Sequence, residues 1–331
     1  MSVGFGVIGA NSFVANAAVI PAIYGAHNSH LAAVASRSQA VPSQWSHLDV
    51  GNYDAVLEHP DVDAVYIPLP NGMHQEWTER AAAAGKHVLC EKPLASDAAT
   101  AQAMADTCLV AGVLLAEAWM TPFDKRWAAT IDMARNGIVG DITRQNHRFT
   151  FTIGPDQADN YRWDPAQGGG ALLDVGIYAV GTAVELWGTG CVVDDASQVA
   201  SPTGVDATTI AELRWPAVDG SGGGPRIANI RCSFVEDEVQ CAEFVGSSGR
   251  LILTDAAFTS GHERDHLIGR THTDTPQPVS EDLEVDPGDP YRGMIETFAD
   301  AVDGVREWPR PPERSIELIH LLERIRDAAT S

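Results

Sequence analysis

Short apolar runs alternate with helix-like stretches through the first third of this chain, and no other feature narrows its fold as much. The runs fall at 3–8, 31–35, 64–68, 87–90 and 113–116, and helical spacing fills 14–24, 76–84 and 98–111 between them. A strand that is apolar on both faces is buried on both faces, and strands joined through helices pair in parallel. Residues 1–121 are therefore predicted to form an α/β domain with a parallel sheet. Past 121 the texture changes: a helix over 125–136 leads into alternating runs at 144–153, 207–215, 226–234, 239–245 and 250–254. Period-2 alternation marks a sheet with one solvated face, so 122–331 are predicted as an α+β domain with an open, mainly antiparallel sheet. The glycine-rich stretch 220–225 lies between two of these strands with no helix after it, and reads as a hairpin loop rather than a phosphate cradle. Helices over 291–302 and 315–328 close the chain, parted by Pro309, Pro311 and Pro312.

A formal charge of −23 excludes the clustered cations that nucleic acid or an anionic membrane surface would need, and leaves small molecules as the expected partners. So acidic a chain with only three lysines reflects either a saline setting or a genome-wide bias. The five cysteines, Cys90, Cys108, Cys191, Cys232 and Cys241, are odd in number and show no metal-ligand spacing, so reduced core thiols and no metal are expected. The first residues lack a basic segment followed by an apolar run, and no stretch reads as a bilayer crossing. A cytoplasmic protein is expected.

Because arginine supplies nineteen of the twenty-two basic residues, each lysine is informative. Lys92 stands in Cys90-Glu91-Lys92-Pro93, just past an apolar strand, where an ammonium can exchange a proton that a guanidinium cannot. Read alone, it is more often a solvated loop residue with Pro93 ending the strand. Gly6-Val7-Ile8-Gly9-Ala10-Asn11-Ser12-Phe13-Val14 closes the first strand and opens the first helix, where a dinucleotide's pyrophosphate would meet main-chain N–H groups. Asn11 and Val14 stand where that fingerprint has glycine, so an ordinary strand-to-helix turn is the other reading. The second strand ends Ser36-Arg37-Ser38, a cation between hydroxyls in place of the carboxylate that reads a ribose diol. This suits the 2′-phosphate of NADP, a reading favoured by about two to one over a solvated loop arginine. Pro68, Leu69, Asn71 and His74 follow a central strand beside the same crevice, with His74 either a polar contact or the start of the next helix. In Gly168-Gly169-Gly170-Ala171-Leu172-Leu173-Asp174-Val175-Gly176-Ile177-Tyr178, a helix beginning at the glycines puts Asp174 and Tyr178 on one face. Tyr178 then suits a general acid, the alternative being a core tyrosine with a satisfied hydroxyl.

With these segments, and with Ala84-Gly85-Lys86-His87-Val88-Leu89, Pro70 and Glu117-Ala118-Trp119-Met120, the chain resembles the Gfo/Idh/MocA family of oxidoreductases. The resemblance implies a Rossmann domain, then an open sheet through which the chain forms a homodimer or homotetramer, and a sugar or polyol substrate over the nicotinamide. It implies Lys92 as the catalytic lysine, Asp174 as the substrate-orienting carboxylate and Tyr178 as the acid/base. The inositol-dehydrogenase branch has histidine in place of Tyr178, so the likeness is to the glucose–fructose oxidoreductase, dihydrodiol and aldose dehydrogenase and sugar ketoreductase branch. Gly9, Asn11, Ser12, Phe13, Val14, Ser36, Arg37, Ser38, Pro68, Leu69, Asn71, His74, Glu91, Lys92, Arg162, Trp163 and Tyr291 are the expected cofactor contacts. Pro122-Phe123-Asp124 departs from the basic-aromatic-histidine run of the aldose-type branch, which leaves the particular sugar open. The expected activity is NADP(H)-dependent hydride transfer at a CH–OH or C=O carbon. Against it stand a non-catalytic dinucleotide sensor, and an enzyme that holds its cofactor tightly with no net redox change.

Overall fold

The computed structural model describes residues 2–330 apart from 39, 46, 218–223, 255, 260–266, 274–278, 286 and 287. Most of the loop expected at 220–225 thus lies outside the described residues. The chain divides into two units, 1–123 with 289–317, and 124–288 with 318–331.

In the first unit β1 (Val3–Ile8), α1 (Ile20–Gly25), β2 (Ser29–Ala35), β3 (Asp49–Gly51), α2 (Tyr53–Glu58), β4 (Ala64–Ile67), α3 (His74–Ala83), β5 (His87–Glu91), α4 (Ala98–Ala111) and β6 (Leu115–Ala118) follow one another. The six strands lie in the order β3-β2-β1-β4-β5-β6, every pair parallel. Every residue of β1 and β4 is buried, which is why both read as unbroken apolar runs. The order reverses between β1 and β4, so the crevice past their carboxyl ends is the place where such a sheet takes a ligand. α4 shows local sequence control at both ends: the Asp97 side chain accepts from Thr100 N, and Gly112 ends the helix at φ 70°.

The second unit opens with α5 (Lys125–Arg135), β7 (Ile142–Thr152), α6 (Ile177–Trp187), β8 (Val192–Ala200) and β9 (Asp206–Trp215). It continues with β10 (Arg226–Ser233), β11 (Val235–Gly246), β12 (Gly249–Leu253), β13 (Leu267–His272) and β14 (Val279–Glu284). Its eight strands are ordered β14-β13-β12-β11-β7-β10-β9-β8 and pair antiparallel, except that β10 runs parallel to β7. α6 covers β7 and β10. The stretch Pro165–Trp187 does have the length and apolar composition of a bilayer crossing, contrary to expectation. With 72% of its apolar window buried, it is placed as the helix that covers a sheet.

Two helices end the chain, α7 (Pro290–Val302) and α8 (Pro312–Thr330). The sequence reading put all of 122–331 in one domain, whereas 289–317 returns to the first unit. The reason is packing: Met294, Ile295, Phe298 and Ala299 of α7 are fully buried, and the Phe298 ring lies 5.8 Å from Phe5 on β1. Two helix starts also differ from expectation, since Ala15–Val19 and Leu172–Gly176 are π-wound before α1 and α6 begin. Such single π turns occur often at functional sites.

Candidate active site

At the end of β1, Gly9 N and Ala10 N both donate to Ala35 O, at 2.9 and 2.8 Å, which fixes the turn against β2. Gly9 has φ 110°, and a Cβ there would lie 2.9 Å from Leu69 Cδ2. Glycine is therefore required at 9 by both backbone angle and space. Nothing similar holds at 11 or 14: among the described residues Ala256 is the only non-glycine with positive φ. Asn11 thus needs no unusual backbone angle, and its Nδ2 instead donates to Ala40 O at 3.0 Å. The departures from the glycine fingerprint leave the turn intact. Ser12 and Val14 are half-exposed and Phe13 is exposed; the helical stretch begins at 13 and Asn16 N is already bonded to Ser12 O at 3.2 Å. The helix N–H groups ahead of Asn16 are therefore the ones that can meet a phosphate.

At the end of β2 the structure separates three residues that the sequence grouped. Ser36 is buried and its Oγ donates to Ala40 O at 2.5 Å, so it shapes the turn rather than facing a ligand. Arg37 and Ser38 are exposed. His74 is likewise corrected. It is fully buried, with Nδ1 at 3.0 Å from Pro93 O and 3.3 Å from Leu94 O, and Nε2 at 2.8 Å from Leu69 O. Both ring nitrogens face main-chain carbonyls, to which the neutral ring donates its single N–H, and burial holds its pKa below the ordinary 6.5. Its place is to tie the Pro68–Leu69 turn to the turn after β5. Pro68 is buried, Leu69 and Asn71 half-exposed.

The Lys92–Pro93 peptide is cis, and side chains from three further strands and turns hold the backbone around it. Tyr66 on β4 donates its Oη to Glu91 Oε1 at 2.6 Å, while Glu91 Oε2 accepts Lys92 N at 3.2 Å. Burial raises the Glu91 pKa, against the pull of Tyr66 and Lys92. The Tyr66 phenol is pushed well above its ordinary 10 by burial, then by Glu91 and by Tyr291, so it remains a donor. Tyr291, at the start of α7, is half-buried. Glu117 at the end of β6 is buried; its Oε1 accepts Leu94 N at 2.9 Å, and its Oε2 faces Ser315 Oγ at 2.6 Å and Arg310 Nε at 3.3 Å. Arg310 also lies over the Trp119 ring, 4.9 Å from its centroid. Tyr66, Arg310 and Ser315 were not read from the sequence. They stand far along the chain from Lys92, and no local pattern links them to it.

The second unit carries its own cluster. Asn160 Oδ1 caps the turn Tyr161–Trp163 by accepting Arg162 N at 3.1 Å, and Gly170 N donates to Arg162 O at 3.0 Å. Gly170 has φ 117°, and a Cβ there would fall 2.2 Å from Asp206 Oδ1. Asp206 in turn accepts Leu172 N at 2.8 Å and Thr209 Oγ1 at 2.7 Å, so it anchors the start of the π turn that bears Asp174. Burial pushes the Asp206 carboxyl up to about 6. Asp174 and Tyr178 are each 8% exposed. Arg162 Nε donates to Asp174 Oδ2 at 2.6 Å. Tyr178 packs 5.6 Å from Phe149, which stacks on Phe258 at 5.7 Å, and Trp163 meets Phe234 edge-on at 5.4 Å. Arg162 and Trp163, expected near cofactor or substrate, are thus seated beside the Asp174–Tyr178 turn. Pro122-Phe123-Asp124 has structural partners: Phe123 lies 5.7 Å from Trp308, and Asp124 Oδ1 caps α5 by accepting Trp127 N at 3.0 Å. Among the described residues no group of three or more His, Cys, Asp or Glu is placed to hold a metal.

Comparison with known proteins gives this arrangement its context. Residues 3–118 match a family model described as an oxidoreductase family with an NAD-binding Rossmann fold, and 127–252 match the GFO/IDH/MocA C-terminal domain. D-xylose 1-dehydrogenase (NADP(+)) 2 of Haloferax volcanii is 34% identical over 98% of this chain and 97% of its own length. A dTDP-3,4-didehydro-2,6-dideoxy-α-D-glucose 3-reductase of Streptomyces violaceoruber is 41% identical over 52% of this chain and 51% of its own. Among solved structures, a 3-ketoreductase from Actinomadura kijaniata, in complex with NADP and TDP-benzene, superposes with a TM-score of 0.88 at 28% identity, covering 99% of this chain and 98% of that one. Two family models that together span most of the sequence, and a relative alike over nearly its whole length, place this chain in the Gfo/Idh/MocA family of oxidoreductases.

Proposed function

We propose that this protein is an NADP(H)-dependent oxidoreductase acting on a CH–OH or C=O carbon of a sugar or related polyol. The observation that carries the reading is the buried Asp174–Tyr178 turn with Arg162 bonded to its carboxylate, a matched acid, anion and cation that a mere dinucleotide sensor has no use for. The relatives point the same way, since their names specify NADP and sugars. The first unit fits the cofactor. It offers the required glycine at 9, uncapped N–H groups past β1, and an exposed Arg37 with Ser38 where a diol-reading carboxylate would stand. Bound there, NADP(H) supplies or takes up the hydride.

The chain's own residues manage the proton and the charge. In the reducing direction the Tyr178 phenol gives its proton to the developing alkoxide oxygen, and the Lys92 ammonium stabilises that oxygen's charge. Asp174 accepts a neighbouring substrate hydroxyl and fixes the reacting carbon. Tyr66, Glu91, His74 and Glu117 hold the backbone on either side of Lys92, so its ammonium starts from a fixed root.

Assembly as a homodimer or homotetramer through the second unit's sheet belongs to the same proposal. It is supported by Val192, Val199, Ile210 and Val235, exposed apolar residues on β8, β9 and β11. Light scattering on the purified protein reads the stoichiometry.

The test is Lys92→Met with NADPH and a panel of keto-sugars, and with NADP and aldoses. Turnover should disappear while calorimetry still shows NADPH bound. A variant that keeps near-normal rates would refute the assignment.

A further inference from the structure

The Arg162–Asp174 pair has a chemistry of its own, beyond placing the carboxylate. Burial disfavours the Arg162 cation, yet Asp174, then Tyr161 and Tyr178, outweigh that and hold its proton more tightly than in an ordinary arginine. The pair is therefore a guanidinium and a carboxylate side by side, with no net charge. The bond between them uses Arg162 Nε. Among the described residues no hydrogen bond engages the two terminal nitrogens, and the side chain is 28% exposed. One terminal N–H lies parallel to Nε–H on the Asp174 side, and the other three point away from the ion pair in the plane of the fork. The guanidinium cannot swing freely, because its Cζ lies over the Tyr161 ring, 4.8 Å from the centroid, and its main chain is fixed by Asn160 and Gly170.

A net-neutral pair of this kind selects by hydrogen-bond sense rather than by charge. A phosphate or carboxylate brought to the Arg162 fork would sit beside the Asp174 anion and lose to it. An uncharged sugar presents what the pair lacks: one hydroxyl hydrogen for Asp174, and one oxygen lone pair on the adjacent carbon for Arg162.

We infer that Arg162 and Asp174 read two adjacent oxygens of an uncharged sugar as one donor–acceptor unit, which makes Arg162 a specificity-determining residue. The inference rests on the oxidoreductase reading above and narrows its substrate to the polyhydroxy part of an unphosphorylated ring. A substrate with a single oxygen at this point leaves Arg162 without its acceptor, and should be discriminated against by about 10- to 100-fold, the size of one hydrogen bond to a charged group.

Binding, rather than turnover, tests this. D-xylose and D-glucose are titrated into the protein saturated with NADP, each beside its 2-deoxy analogue, for the wild type, Arg162→Ala and Arg162→Lys. The expected result is that at least one probe binds the wild type about 10- to 100-fold more tightly than its analogue, and that both variants erase the difference. Circular dichroism spectra of the same samples, matching the wild type, report that the variants are folded. If no probe binds, or if the variants weaken a sugar and its 2-deoxy analogue equally, the inference fails. Arg162-dependent binding without any turnover would leave this inference standing and overturn the proposed hydride transfer.

Discussion

His147 on β7 is buried, and its Nε2 lies 2.9 Å from Gln145 Oε1 amid the rings of Phe244 and Phe258. Burial pulls its pKa down to about 3, against the ordinary 6.5 that it recovers on unfolding. The unfolded chain therefore takes up a proton first as pH falls. Stability from this residue is whole above pH 6.5 and is lost progressively between about 6.5 and 3. At about 1.4 kcal/mol per pH unit the full loss is about 5 kcal/mol, and about 2 kcal/mol is gone by pH 5. In a unit of this size that lowers Tm by about 4–8 °C. Thermal unfolding of the wild type and of His147→Phe, scanned from pH 8 to pH 5, checks this. The variant leaves Gln145 Oε1 without its partner and starts less stable, so the quantity to compare is the slope with pH rather than the midpoint. Equal slopes in the two proteins would refute the argument that burial keeps this imidazole neutral.

Asp206 should act with the opposite sign. Its carboxyl is raised to about 6, so the folded protein binds the proton first, and this group adds stability as pH falls from about 6 to 4. Asp206→Asn should flatten that part of the curve and gain about 3 kcal/mol at pH 8; a variant as pH-sensitive as the wild type counts against it. Glu117→Ala strips a buried carboxylate from Leu94 N, Ser315 and Arg310, and should cost about 3–5 kcal/mol in urea unfolding because it strands the Arg310 cation; a cost below about 1 kcal/mol would show that pair to be idle. Arg37→Ala should weaken NADPH binding by about 10- to 100-fold and leave NADH binding as it was, and calorimetry showing equal losses for both would remove Arg37 from the 2′-phosphate.

Much of the architecture was legible because burial leaves a period in the sequence. β1 and β4 are apolar throughout since both faces are covered, and β7, β9, β10, β11 and β12 alternate or nearly so since one face is. β8 and β14 were missed for the converse reason: as edge strands they bury almost nothing, so their residues carry no hydrophobic period. Lys92, Asp174 and Tyr178 were singled out through short contiguous motifs. What escaped was the tertiary support around them. His74 and Ser36 look like ligand contacts in sequence because both are polar and lie at strand ends, yet their polar atoms close onto main-chain carbonyls. Asn11 looked like a defect because the glycine pattern is defined by residue type, whereas the backbone asks for a positive φ only at Gly9.

The return of 289–317 to the first unit has a consequence for how the protein is made. The stretch 124–288 of the second unit is inserted into the first, and a ribosome delivers it before it delivers α7. Until then the first sheet lacks the helix that covers Phe5, so a nascent chain ending at 123 carries an uncovered apolar seam. The first unit thus begins first yet closes only after 124–288 has been made, and a fragment cut at 123 will aggregate where the whole chain does not.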